Sequence, residues 1–152
     1  MKKIYELRYL SNKLSIKYPR KDYPEFLFKQ LRPYIVFLIE VDSHIFAIPF
    51  RTNINHNYSY IFSKTSRETH NSTGLDFTKA VLVDDETLLG SEARIDDKEY
   101  AELNKRYFYI RNQFIKYYNG FKKYIRNDLN CKQTEAYKYS TLKYFQKELN
   151  IK

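Results

Sequence analysis

The chain has 152 residues, a net charge of +9 and an apolar fraction of 43%, which fits one domain burying roughly 70% of the surface of the unfolded chain. A lone cysteine, Cys131, excludes a disulfide framework and a thiolate zinc site, and no run approaches the ~20 apolar residues of a membrane-spanning helix. MKKIYELRYL lacks the apolar h-region of a secretory signal, so the expectation is a single cytoplasmic domain over residues 1–152 with no membrane partner.

Ile4 to Leu10 reads as a first strand, followed by a basic loop that ends at Tyr18-Pro19. Pro24 can open a short helix running to Leu31, because proline is tolerated in a first helical turn, and Pro33 ends it. Tyr34 to Val41 and His44 to Phe50 predict two strands joined by a tight hairpin at Asp42-Ser43, and their apolar density places them centrally in a sheet. Tyr58 to Phe62 and Phe77 to Val83 predict two more strands, with the exposed loop SKTSRETHNSTG between them. From there Tyr100, Leu103, Tyr107, Ile110, Phe114, Tyr117, Phe121 and Tyr124 recur at spacings of three and four. That periodicity predicts one long helix, capped by Asp96 or Asp97, in which Gly120 is a kink or an end. A second helix is expected from Thr134 to Leu149, with Tyr137, Leu142, Phe145 and Leu149 on one side. Without a matching partner segment, the apolar stripe reads as a helix packed on a sheet and not as a coiled coil.

The charge is unevenly spread. Residues 1–57 carry ten Lys/Arg against five Asp/Glu, residues 58–97 four against eight, and residues 98–152 thirteen against five. Lys17, Arg20, Lys21, Lys29 and Arg32 near the start, and Lys105, Arg106, Arg111, Lys116, Lys122 and Lys123 on the long helix, are candidate phosphate contacts. Sixteen tyrosines and eleven phenylalanines among these cations offer faces for unstacked bases, although most aromatics must serve the core. Charge by itself is equally compatible with mere solubility.

Familiar catalytic signatures are missing. Three glycines, Gly74, Gly90 and Gly120, leave room for neither a P-loop nor a dinucleotide fingerprint. His44, His56 and His70 lack the i,i+4 spacing of a helical zinc pair, and Asp84, Asp85, Glu86, Asp96 and Asp97 read as caps and solvated charges. Neither a metal nor a cofactor is expected. What remains is Pro49 to Asn57, PFRTNINHN, directly after an apolar strand. Metal-free RNA cleavage uses the substrate's 2'-OH as nucleophile, so the protein must deprotonate it, neutralise charge on the pentacoordinate phosphorus and protonate the leaving 5'-oxygen. Arg51 and Lys64 supply cations, Thr52 and Ser66 hydroxyls, Asn53 an amide donor, and His56 a group that titrates near neutrality. The plainer reading is a polar loop in which Thr52 and Asn53 satisfy backbone groups.

The order RPYIVFLIEVDSHIFAIPFRT, KTS, GLDFTKAVLV and then long basic helices resembles the toxins of type III toxin-antitoxin systems, the ToxN, CptN, TenpN and AbiQ group, and CptN or TenpN most. Pro49 to Thr52 matches that group's Pro-x-x-Ser/Thr element, and Gly74 to Lys79 its Gly-Leu-x-x-x-Lys segment. The resemblance implies an α+β fold, a twisted, mostly antiparallel sheet flanked by helices and similar to MazF/Kid. It implies a metal-independent, sequence-selective endoribonuclease leaving 2',3'-cyclic phosphate ends, with Thr52 as the hydroxyl residue and Lys79 as an RNA contact. The partner it implies is a small structured RNA antitoxin of pseudoknot-type repeats, cut and then bound as an inhibitor; the targets are cellular or phage RNA, not DNA, and the outcome is growth arrest or abortive infection. Asn53-Ile54-Asn55-His56 stands where ToxN and AbiQ have proline and lysines, which leaves Arg51, His56 and Lys64 as alternatives for the lysine role. Two other readings stay open: a basic RNA-binding module without catalysis, and a MazF-like toxin with a protein antitoxin.

Overall fold

The computed structural model describes residues 5–26, 34–63, 72–126 and 137–151. Its centre is an antiparallel hairpin. Strands β2 (Ile35–Val41) and β3 (His44–Arg51) pair from Val36↔Pro49 to Val41↔His44. Asp42 and Ser43 between them both take positive φ, 53° and 67°, the backbone of a two-residue turn whose twist matches that of the strands. β1 (Tyr5–Leu10) pairs with β2, and β7 (Leu89–Glu92) with β1. On the far edge of β3 lie β5 (Gly74–Asp76), itself paired with β4 (Ser59–Ile61), and β6 (Val81–Leu82). Among the described residues this makes one seven-stranded antiparallel sheet in the order β4-β5-β3-β2-β1-β7, with β6 beside β3.

The predicted strand from Phe77 to Val83 is interrupted. Phe77–Lys79 forms a 3-10 turn whose start is capped by Asp76, which accepts from the Thr78 N–H. A carboxylate that bonds the backbone two residues on closes such a turn, which ends β5 early and lets β6 resume at Val81. Both short strands still pair with β3, at Phe50↔Leu75 and at Phe46↔Leu82. β5 and β7 carry no apolar alternation to announce them. The basic loop expected before Tyr18 contains a short helix, α1 (Lys13–Lys17). Of the helix expected from Pro24 to Leu31, only the opening turn falls within the described residues.

The long helical stripe is two helices. α2 (Asp97–Lys105) is capped by Asp96, whose carboxylate accepts from the Lys98 and Glu99 N–H groups, and α3 (Tyr107–Ile125) starts after a break at Arg106. The break shifts the helical phase, so Tyr100, expected on the apolar face, is 47% exposed. α3 buries Tyr107, Ile110, Phe114, Tyr117, Tyr118 and Phe121. Phe46 on the central strand sits 5.1 Å from the Phe114 ring and 5.3 Å from Tyr118. Val36, Phe37, Leu38 and Ile39 are all buried in succession; since neighbouring side chains on a strand point to opposite faces, β2 is covered on both.

Gly120 is not the end of the helix, because α3 runs through it to Ile125. A Cβ there would lie 1.8 Å from the Tyr137 hydroxyl, so the glycine admits the buried Tyr137 ring. The α-helix expected from Thr134 to Leu149 is, in its described part, a 3-10 helix at Thr141–Phe145 flanked by turns. Local side-chain bonds divert it. Ser140 caps the Leu142 N–H and accepts from the Tyr117 hydroxyl at 2.8 Å, while the Thr141 hydroxyl donates to the Ala80 and Thr78 carbonyls at 2.5 and 3.2 Å. Tyr137, Leu142, Phe145 and Leu149 are nevertheless all buried. Among the described residues, no helix is long and apolar enough to cross a membrane.

Candidate functional site

β3 leaves the sheet at Arg51, and the chain then turns back on itself. Asn53 takes a φ of 57°, a left-handed conformation that asparagine tolerates better than most residues. Ile54 is buried and its N–H bonds the Ser72 carbonyl at 3.3 Å, which leaves Thr52, Asn53 and Asn55 exposed on the outside of the turn.

Asp76 forms the floor of this region. Its carboxylate is 0% exposed and accepts from Arg51 Nη1 at 2.7 Å, from the Thr78 N–H at 3.0 Å and from the Thr78 hydroxyl at 2.6 Å. A buried carboxylate is tolerable only when paired and hydrogen-bonded in this way. His56 Nε2 lies 3.2 Å from Asp76 Oδ1. That nitrogen is buried and makes no aligned hydrogen bond, so the contact is one of proximity. The Tyr58 N–H donates to His56 Nδ1 at 3.1 Å, which in the neutral ring leaves the proton on Nε2, toward Asp76. Both ring nitrogens of His56 therefore face protein groups, Nε2 toward the Asp76 carboxylate and Nδ1 toward the Tyr58 N–H.

Lys79 follows from the 3-10 turn. Its ammonium donates to the Glu25 carbonyl at 2.5 Å. Burial pushes its pKa below the ordinary lysine value and the Arg51 charge adds to this, against the pull of Asp76 and Glu25. The Glu25 carboxylate accepts from the Lys143 ammonium and the Tyr144 hydroxyl. Burial alone would raise the Glu25 pKa; the two hydrogen bonds and the Lys143 charge outweigh it and hold the carboxyl below its usual range. The Tyr144 hydroxyl, desolvated beside Glu25, is pushed up to about 12. The result is a cationic surface around two carboxylates, in which Arg51, at 34% side-chain exposure, keeps access to water.

The structure therefore brings together Arg51, His56 and Lys79 and sets Thr52 and Asn53 immediately beside them in the chain. Lys64 and Ser66, and likewise Lys29 and Arg32, lie outside the described residues. Arg20 and Lys21 are exposed, and Lys17 pairs with Asp84 at 3.2 Å. On the helices Lys105, Arg106, Lys116 and Lys123 are exposed, whereas Arg111 donates to the Glu40 carbonyl at 3.2 Å and Lys122 meets Asp42 at 3.5 Å. Asp85 caps the 3-10 turn Glu86–Leu88, so the capping expected of Asp85 and Asp96 is observed. Sequence reasoning missed Asp76, Thr78, Glu25 and Lys143. The one signal present was Asp76 itself, an acid set between Leu75 and Phe77 in an apolar run, where a buried charge has to find a partner. Comparison of the chain with protein-family models, with curated proteins and with solved structures finds no match.

Proposed function

We propose that this chain is a metal-independent, sequence-selective endoribonuclease toxin of the type III toxin-antitoxin kind, with a MazF/Kid-like sheet, acting in the cytoplasm and restrained by a small structured repeat RNA. The observation that supports it is the set of Arg51, Lys79 and His56 around the buried Asp76 at the exit of the central strand, beside the exposed Thr52. In this reading the substrate's 2'-oxygen attacks the adjacent phosphorus, the O2'–P bond forms and the P–O5' bond breaks. Arg51, a permanent cation, stabilises the charge on the phosphorane oxygens. Lys79, which sheds its proton more readily than an ordinary lysine, handles the proton passing from the 2'-hydroxyl to the 5'-oxygen. Thr52 donates to a non-bridging oxygen, and Asp76 and His56 position Arg51.

Thr52→Ala tests the assignment. Because Thr52 is exposed, folding stability is expected to change by no more than about 0.5 kcal/mol, while cleavage of single-stranded RNA falls roughly 100-fold, the scale for losing one donor to a developing oxyanion. Binding of the inhibitory RNA stays near the wild-type level, since one small group contributes little to a large interface. Wild-type cleavage by a folded Thr52→Ala protein rejects Thr52 as a catalytic residue. The DNA upstream of the gene separates the partners: tandem repeats before a terminator support an RNA antitoxin, and a small open reading frame a protein one.

A further inference from the structure

The cations of α3 divide between two faces. Arg111 and Lys122 reach the central hairpin, at the Glu40 carbonyl and at Asp42, and Lys122 also lies 4.3 Å over the Tyr118 ring. The other face borders the edge strand β4. There Tyr109, Gln113 and Lys116 recur at spacings of four and three, which places them on one side of the helix. Arg106, at the start of α3, stacks its guanidinium 4.1 Å over the Tyr109 ring. Tyr109 meets Tyr60 edge-on at 6.1 Å, and eight residues along the helix Tyr117 meets Tyr58 at 6.3 Å. α3 and β4 therefore run alongside one another. Tyr58 is 37% exposed and Tyr109 is 47% exposed.

This strip is continuous with the proposed active site. Ser59 pairs with Asp76 across β4 and β5, and Tyr58, one residue earlier, stacks on His56 with ring centroids 5.8 Å apart. Alternation of aromatic and cationic groups along a surface is the pattern that holds unpaired bases by their faces and phosphates by charge. The charge suits a polyanion: α3 has no acidic residue in its 19 positions. By contrast Lys17, on the opposite edge of the sheet, pairs with the exposed Asp84 and lies near enough to the exposed Asp85 to act on its charge.

We propose that the strip between α3 and β4 is a track for single-stranded RNA, with bases stacked on Tyr109–Arg106 and on Tyr58, and phosphates at Lys116 and Arg51. It deepens the endoribonuclease reading by naming how the substrate is led in, and it takes part of that reading as its premise. Tyr60 is positioned beneath the track. Its hydroxyl donates to the buried Glu102, which also accepts from the Ser63 N–H and hydroxyl at 2.9 Å, so that β4 is fastened to α2.

The test uses a labelled 2'-O-methyl oligouridine, which lacks the nucleophile and reports binding with no cleavage. Fluorescence anisotropy is expected to show about tenfold weaker binding for Tyr109→Ala, the scale of one lost base stack. For Lys116→Gln the slope of log affinity against log salt should fall by about 0.7. Lys122→Gln, on the hairpin face, should bind as wild type, and a 2'-O-methyl duplex should bind more weakly than the single strand. Unchanged affinity in both folded strip variants, or a duplex bound as tightly as the single strand, overturns the track. Strip-dependent binding by a protein that never cuts native RNA keeps the track and rejects the nuclease. Cleavage of native RNA with strip-independent binding does the reverse.

Discussion

Asp76→Ala is expected to destabilise the fold by about 3–5 kcal/mol, the scale for removing one partner of a buried ion pair. The carboxylate is fully buried and takes three hydrogen bonds, from Arg51, the Thr78 N–H and the Thr78 hydroxyl. Its loss leaves those donors without an acceptor and sets the Arg51 and Lys79 charges against each other with no carboxylate between them. Arg51 is 34% exposed and water relieves part of the penalty, which places the cost toward the lower end of that range. Asp76→Asn keeps an acceptor for Thr78 and loses only the charge, so it should cost less. Urea denaturation of the two variants checks the order, and an Asp76→Ala midpoint equal to wild type would remove the carboxylate from its place as the floor of the site.

Gly74→Ala is the second large effect. A Cβ at this position would sit 2.0 Å from the Tyr60 carbonyl oxygen and 2.9 Å from Ile61 Cα. Both are backbone atoms, so no rotamer change relieves the clash and β4 has to separate from β5. Overpacking typically costs about 1–3 kcal/mol, and loss of the β4 pairing carries this variant to the upper end or beyond. Thermal unfolding is expected roughly 6–12 °C below wild type, at about 2–4 °C per kcal/mol for a chain of this size. Gly120→Ala makes the comparison. Its clash is with the end of the Tyr137 side chain, and alanine recovers about 1 kcal/mol of helix propensity, so its melting temperature should fall less. Equal melting temperatures for Gly74→Ala and wild type would contradict the close approach of β4 and β5.

The parts of the fold legible in the sequence were those fixed locally. Asp42 and Ser43 announced the hairpin because two apolar runs flanked a two-residue turn. Asp96 and Asp97 together announced the start of α2, because a carboxylate before a periodic segment has free N–H groups to accept from, and the structure uses Asp96. Tyr100 was misplaced because its spacing continued unbroken through Arg106, and only the backbone break there rotates it outward. Arg51, Thr52 and His56 could be read as a group because they are neighbours in the chain. Asp76 and Lys143 could not, because the sheet brings the first to Arg51 across 25 residues and the C-terminal segment brings the second to Glu25 across 118. Glu25 lay in a stretch read only as a helix start. Spacing alone does not carry contacts of that kind.

The measurement that bears most directly on the account is incubation of the purified protein with single-stranded RNA in EDTA, followed by analysis of the product ends. In the proposed reaction the cations around Asp76 take the part a metal would otherwise play as the 2'-oxygen attacks phosphorus, so that reading predicts cleavage that persists in chelator and upstream fragments that end in 2',3'-cyclic phosphate. A strict requirement for magnesium, or fragments ending in 3'-hydroxyl groups, would contradict it.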